Sequence, residues 1–65
     1  MKWHVDRARK MASTECGYEI RWAKSSHGNF FNAYAPSGQH IEAAYDLGKC
    51  KAACDAHARQ GELAV

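Results

Sequence analysis

Residues 28–36 read GNFFNAYAP, and the two adjacent phenylalanines in this stretch decide the fold. An aromatic-rich run that ends at a proline is typical of a β-strand followed by a turn. Because neighbouring side chains of a strand point to opposite faces of the sheet, Phe30 and Phe31 cannot lie under the same layer of core. The strand at residues 30–35 therefore has two sets of side chains, one of Phe31, Ala33 and Ala35 and the other of Phe30, Asn32 and Tyr34.

The segments before this stretch predict two further strands. At residues 18–24, Tyr18, Ile20 and Trp22 alternate with Glu19, Arg21 and Ala23, which is the pattern of a half-buried strand. At residues 2–7, Trp3 and Val5 alternate with polar residues and favour a short first strand. Residues 7–16 are interpreted as an irregular connection, with a helix from Asp6 to Ala12 as the alternative.

Residues 39–45 fit either a fourth strand or the start of a long helix. As a strand they would place Ile41, Ala43 and Tyr45 on one face. The strand is favoured because Asp46 stands where a helix N-cap belongs. A long helix would instead hold Gly48 in its interior, at a cost of about 1 kcal/mol relative to alanine.

Residues 47–60 have helical periodicity. The apolar stripe recurs at intervals of three or four and consists of Leu47, Cys50, Cys54, His57 and Ala58. Gly61 is a natural C-terminal stop, and the last four residues are expected to fray.

These elements predict a single α+β domain over residues 1–65, an antiparallel meander of three or four strands with one C-terminal helix on one face. The alanines allow the helix to approach closely, so the Phe31 set is expected beneath it. Phe30 and Tyr34 would then stand on the open face, with Arg21 and Lys24 nearby. An aromatic and basic surface of this kind suits a protein partner or stacked nucleic-acid bases. The alternative is that Phe30 packs against Trp3 or the connection at residues 7–16.

The charge distribution adds one candidate segment. The net charge of the 65-residue chain is +2, which argues against a DNA mimic because such a protein would be strongly acidic. The densest basic run contains Arg7, Arg9 and Lys10 and could contact phosphates, although a solvated surface is the simpler interpretation.

The apolar segments are too short to span a bilayer, and the N-terminus lacks the apolar run of a signal peptide. A cytoplasmic protein is therefore expected. Since the cytosol keeps thiols reduced, Cys16, Cys50 and Cys54 are predicted to be free thiols in the core.

Cys50, Cys54 and His57 share one helix face and could in principle bind zinc, with Cys16, His27 or His40 as the fourth ligand. Their spacing lacks the usual turn-based pair of ligands, so neither a metal nor another cofactor is expected. A cysteine nucleophile would need a cleft, which so small a domain is not expected to form, and the chain is predicted not to be an enzyme.

The segments GYEIRW, FFNAYAPSG and DLGKCKAACDAH together resemble a type of short protein common in bacteriophages and mobile elements. Its final helix has the form D-L-x-x-x-K-x-x-C-x-x-H, matched here by Asp46, Leu47, Lys51, Cys54 and His57. The resemblance covers residues 17–58 and implies an anti-CRISPR-like inhibitor that binds a host defence protein, such as a subunit of a CRISPR effector. It implies no catalytic residues. The alternative is a small nucleic-acid-binding domain that uses the same sheet face with Arg7, Arg9 and Lys10.

Overall fold

Five antiparallel strands follow one another along the chain and pair in that same order, β1-β2-β3-β4-β5. The computed structural model describes residues 2–63, with side chains up to residue 60. The strands are β1 (Trp3–Asp6), β2 (Met11–Thr14), β3 (Glu19–Ser25), β4 (Gly28–Tyr34) and β5 (His40–Ala44), and one helix, α1 (Leu47–Leu63), follows them. The predicted α+β class and meander are confirmed, and the strand count is higher than expected.

The additional strand is β2, which forms inside the segment predicted to be irregular. Neither that prediction nor the alternative helix from Asp6 to Ala12 is correct, because Asp6 ends β1 and pairs with Met11 across a tight turn. Lys10 closes this turn with a positive φ of 54°. Gly17 closes the next turn at φ 96°, where a Cβ would also come within 3.0 Å of Pro36, so a side chain is disfavoured on both counts.

The core lies between the sheet and one face of α1. Ile20, Ala33, Cys50 and Cys54 are fully buried, and Phe31 and Ala35 pack with them. The prediction that the Phe31 set lies beneath the helix is therefore confirmed. Residue 33 shows why the helix can approach so closely: its alanine side chain is completely buried and adds little height to the sheet.

The last strand contains an irregularity that the sequence pattern does not predict. Ala33 pairs with Glu42 and Tyr34 with His40, so Ile41 is skipped in the register. Ile41 packs against the core, whereas Ala43 pairs with Asn32 on the opposite face. The bulge changes the alternation, and the expected common face of Ile41, Ala43 and Tyr45 is wrong.

The helix begins where its cap was predicted. The Asp46 carboxylate accepts a hydrogen bond of 2.9 Å from the backbone N–H of Gly48, which satisfies one of the free donors of the first turn. The predicted stop at Gly61 is wrong, because α1 continues to Leu63. The predicted fraying of residues 62–65 falls partly on that last turn and partly outside the described residues. Within residues 2–63, no helix combines the length and apolar character needed to cross a membrane.

Candidate binding surface on the open sheet face

Strand alternation places two rows of mainly polar and aromatic side chains on the sheet face that α1 does not cover, called the open face below. One row across this face runs from Ser13 through Glu19 and Tyr34 to His40. A second row runs from Met11 through Arg21 and Asn32 to Ala43. The helix packs on β4 and β5 from the other side, so this open face is free to meet another molecule.

The aromatic part of the open face is centred on Phe30. Its ring lies 4.9 Å from that of Tyr45 in an edge-to-face arrangement, and Tyr45 also meets His27 at 6.1 Å. Phe30 is half-buried by these neighbours, whereas Tyr45 remains 54% exposed. Phe30 therefore packs within the open face. Trp3 packs against the core on the other side of the sheet, and β3 separates β4 from the segment at residues 7–16, so neither alternative partner of Phe30 is correct within residues 2–60.

A second aromatic pair lies nearer the other end of β4. The Tyr34 ring is 5.4 Å from the His40 ring. His40 Nε2 donates a hydrogen bond of 3.0 Å to the Asn32 side-chain oxygen. These contacts hold three side chains of the face in fixed positions, which lowers the entropy cost of using them to bind a partner.

The main charged side chains of this face, Arg21 and Glu19, pair with each other. Arg21 Nε lies 3.3 Å from a carboxylate oxygen of Glu19. Lys24 pairs in register with Asn29 and is two residues from Trp22, so alternation places it on the helix side instead of beside Phe30 as predicted. The open face is thus more aromatic and less basic than the sequence indicated.

The basic run of the N-terminal region lies in the β1–β2 turn, apart from the open-face aromatics. Arg9 is held by Asp6, whose carboxylate accepts a hydrogen bond of 3.2 Å from the Arg9 backbone N–H and lies 3.8 Å from its Nε. Arg7 and Lys10 border a cleft on the helix side of the sheet. The structure therefore separates the predicted binding residues into two surfaces.

The cysteines and the histidine of α1 help to pack the helix against the sheet, since Cys50 and Cys54 are buried in the core and His57 contacts Tyr18. Burial, together with the neighbouring Cys50 and Asp55, raises the pKa of Cys54 to about 11. His57 Nδ1 lies 2.7 Å from the Tyr18 hydroxyl, within hydrogen-bonding distance. A protonated, buried thiol is a poor nucleophile and a poor metal ligand, and the described part of the chain brings together no metal-binding group of three or more candidate side chains.

Several contributors to the open face could not be identified from the sequence. Tyr45 reaches Phe30 only because the β5 bulge changes the side on which it emerges. His27 lies in a segment whose composition predicts a loop and gives no side-chain direction. His40 lies in the strand predicted at residues 39–45, but the bulge decides which face it shares with Tyr34. The chain matches no protein-family model, and comparison with curated proteins and with solved structures also gives no match.

Proposed function

We propose that the chain is a non-enzymatic inhibitor that binds and blocks a host defence complex, in the manner of the anti-CRISPR proteins that its sequence resembles. The observation that carries the proposal is the open face with Phe30, Tyr34 and Tyr45, which the single helix leaves uncovered. The partner would be a protein, such as a subunit of a CRISPR effector, in the cytoplasm of the host cell.

The chemistry of the open face favours a protein partner over nucleic acid. Tyrosine and phenylalanine are enriched in the buried centres of protein interfaces. Phosphate recognition needs unpaired cations, yet the arginine central to this face already has Glu19 beside it. This ion pair is the reason to rank the nucleic-acid-binding alternative second for the open face.

The mechanism would be occlusion. A rigid sheet face that covers a surface of the effector prevents nucleic acid or another subunit from reaching that surface. This mechanism needs no catalytic group, and the pre-ordered rings of Phe30 and Tyr45 reduce the side-chain entropy lost on binding.

The experiment compares two adjacent phenylalanines in a host that carries CRISPR interference. The tagged protein is expressed during phage infection, and both rescue of the phage and co-purification of effector subunits are measured. Phe30→Ala combined with Tyr34→Ala should abolish rescue and effector capture, because removing an interface aromatic typically costs about 2–4 kcal/mol of binding. Its melting temperature should fall less than that of Phe31→Ala, because Phe30 and Tyr34 are only half-buried and lose cross-strand contacts without leaving a core cavity.

Two controls separate binding from folding. Phe31→Ala should lose about 3–5 kcal/mol of stability because it leaves a cavity beneath the helix. Val5→Ala shortens an exposed apolar side chain on the helix side and should change neither rescue nor capture. Wild-type protein that neither rescues phage nor retains an effector subunit would rule out the inhibitor function, and a folded Phe30→Ala/Tyr34→Ala variant with full activity would rule out the open face.

A further inference from the structure

The helix side of the sheet has a cleft that neither the core nor the proposed inhibitor function uses. It has a volume of about 370 Å³, and its apolar lining residues are Val5, Trp22, Phe31 and Leu47. The cleft exists because α1 packs on β4 and β5 and begins only at Leu47, which leaves part of the sheet beyond its first turn uncovered. Trp22 is consequently only half-buried.

The rim of the cleft is positively charged. Arg7 and Lys10 both border it, and none of the residues that line it is acidic. Among residues 2–60, neither cation has a carboxylate within ion-pair distance, in contrast to their neighbour Arg9. The main chain of Lys10 is fixed beside that of Trp22, because the Trp22 N–H donates a hydrogen bond of 3.0 Å to the Lys10 carbonyl. Lys10, just before β2, therefore lies next to the part of β3 that carries the half-buried indole of Trp22.

We propose that this cleft binds one nucleotide of a single-stranded nucleic acid, with the base against Trp22 and the phosphate between Arg7 and Lys10. The Trp22 ring lies 5.3 Å from Phe31 at an angle of 48°, so it is supported from one side. Asn29, which also lines the cleft, offers an amide to the edge of the base. Aromatic stacking beside unpaired cations is the general arrangement by which proteins hold single strands.

The size and composition of the cleft distinguish a nucleotide from other anions. Its volume lies at the low end of ligand pockets, which span about 300–1,000 Å³, and suits one base with its sugar. An acidic peptide would pair with the two cations, but its carboxylates would gain little from the neighbouring indole of Trp22. The inference does not rest on the proposed inhibitor function, since the two use opposite faces of the sheet.

The test is fluorescence anisotropy with a labelled oligothymidylate of about ten nucleotides, which falls in the range of single-strand site sizes. Binding should weaken as salt rises, because each phosphate contact releases counterions. Arg7→Gln combined with Lys10→Gln should weaken binding and reduce the slope of log Kd against log salt by about 1.4, the value for two contacts to a single strand. The matched control, Lys51→Gln with Arg59→Gln, removes the same charge from α1, away from the residues that line the cleft, and should leave the slope unchanged.

Stacking is tested on the ligand, so that the fold is untouched. An abasic oligomer of equal length should bind about 5- to 150-fold more weakly than oligothymidylate, which corresponds to the loss of one stacked base. Equal affinity for the two oligomers, or equal effects of the two double variants, would overturn the proposal. So would polyglutamate that binds as tightly as oligothymidylate, since the cleft would then be a site for acidic peptides, and so would a failure of oligothymidylate to bind at low salt.

Discussion

The thiol of Cys54 is fully buried between the helix and the sheet, and its pKa is raised to about 11 from an ordinary value of 9.0. Burial is the main cause, because a thiolate loses its hydration there. Burial also raises the pKa of Cys50 and of the Tyr18 hydroxyl. In all three groups the folded protein holds the proton more tightly than the unfolded chain does.

The first prediction concerns the pH dependence of stability. A group whose pKa is raised on folding contributes its full stabilisation below the unfolded pKa and loses it as the pH rises through the folded pKa. The free energy of unfolding should therefore fall between about pH 9 and pH 11, with Cys54 contributing on the order of 2–3 kcal/mol. Urea unfolding under reducing conditions measures this change. Cys54→Ala should show a shallower decline, and a wild-type stability that is constant over this range would contradict the burial of the thiols.

The second prediction concerns which thiols react. The sequence placed all three cysteines in the core, but Cys16 lies exposed between β2 and β3, whereas Cys50 and Cys54 are buried. All three are free, as predicted. A disulfide-exchange reagent should modify one thiol of the native protein rapidly and all three after denaturation. Cys16→Ser should abolish only the rapid phase; rapid modification of three thiols in the native wild type would be inconsistent with this core.

At the scale of the elements, strands with strong alternation could be predicted and the short polar strand could not. β3 has the bulky apolar residues Ile20 and Trp22 two positions apart, β4 buries Phe31 and Ala33 at alternate positions, and Asp46 marks the start of the helix. β2 has only four residues, and its buried positions are Ala12 and Thr14. Small and polar residues of this kind are also common in loops, so the sequence pattern does not indicate a strand here. It forms because β1 and β3 supply partners on both edges.

The candidate site was predictable to the same extent. Alternation alone separates Phe30 from Phe31, so the two faces of β4 could be assigned from the sequence. The cleft could not, and the expectation that so small a domain forms none is wrong, because the cleft depends on where α1 crosses the sheet and on the turn that brings Lys10 beside Trp22. Leu47 illustrates the difference: helical periodicity predicts it as a core anchor, yet it borders the cleft and is only half-buried.

The third prediction concerns the junction between helix and sheet. The Tyr18 hydroxyl and His57 Nδ1 form a hydrogen bond between residues 39 positions apart, and the rings meet edge to face at 5.7 Å. Tyr18→Phe keeps the ring and removes the hydroxyl, so it should cost about 0.5–1.5 kcal/mol. Urea unfolding measures the loss. A double-mutant cycle with His57→Ala provides the control, and a coupling energy near zero would show that the contact does not stabilise the docked helix.

At the scale of the whole molecule, the two faces of the sheet have different roles. The helix side contains the core and, beyond the start of α1, the basic cleft; the opposite side contains the aromatic surface. The molecule is elongated, with extents of 41 × 19 × 18 Å. Because each surface uses residues of its own, substitutions in one should leave the other intact, and the experiments on the two proposals can be interpreted independently.

The unbroken strand order has a consequence for kinetics. Every strand pairs with the one just before it in the chain, so each step of sheet assembly closes only a short loop, and helix docking is the main event that joins distant positions. Chains dominated by such local closures cross a low entropic barrier and fold quickly. Stopped-flow refolding should be complete within about a second. The Tyr18–His57 contact should form late, so that Tyr18→Phe accelerates unfolding while leaving the refolding rate nearly unchanged.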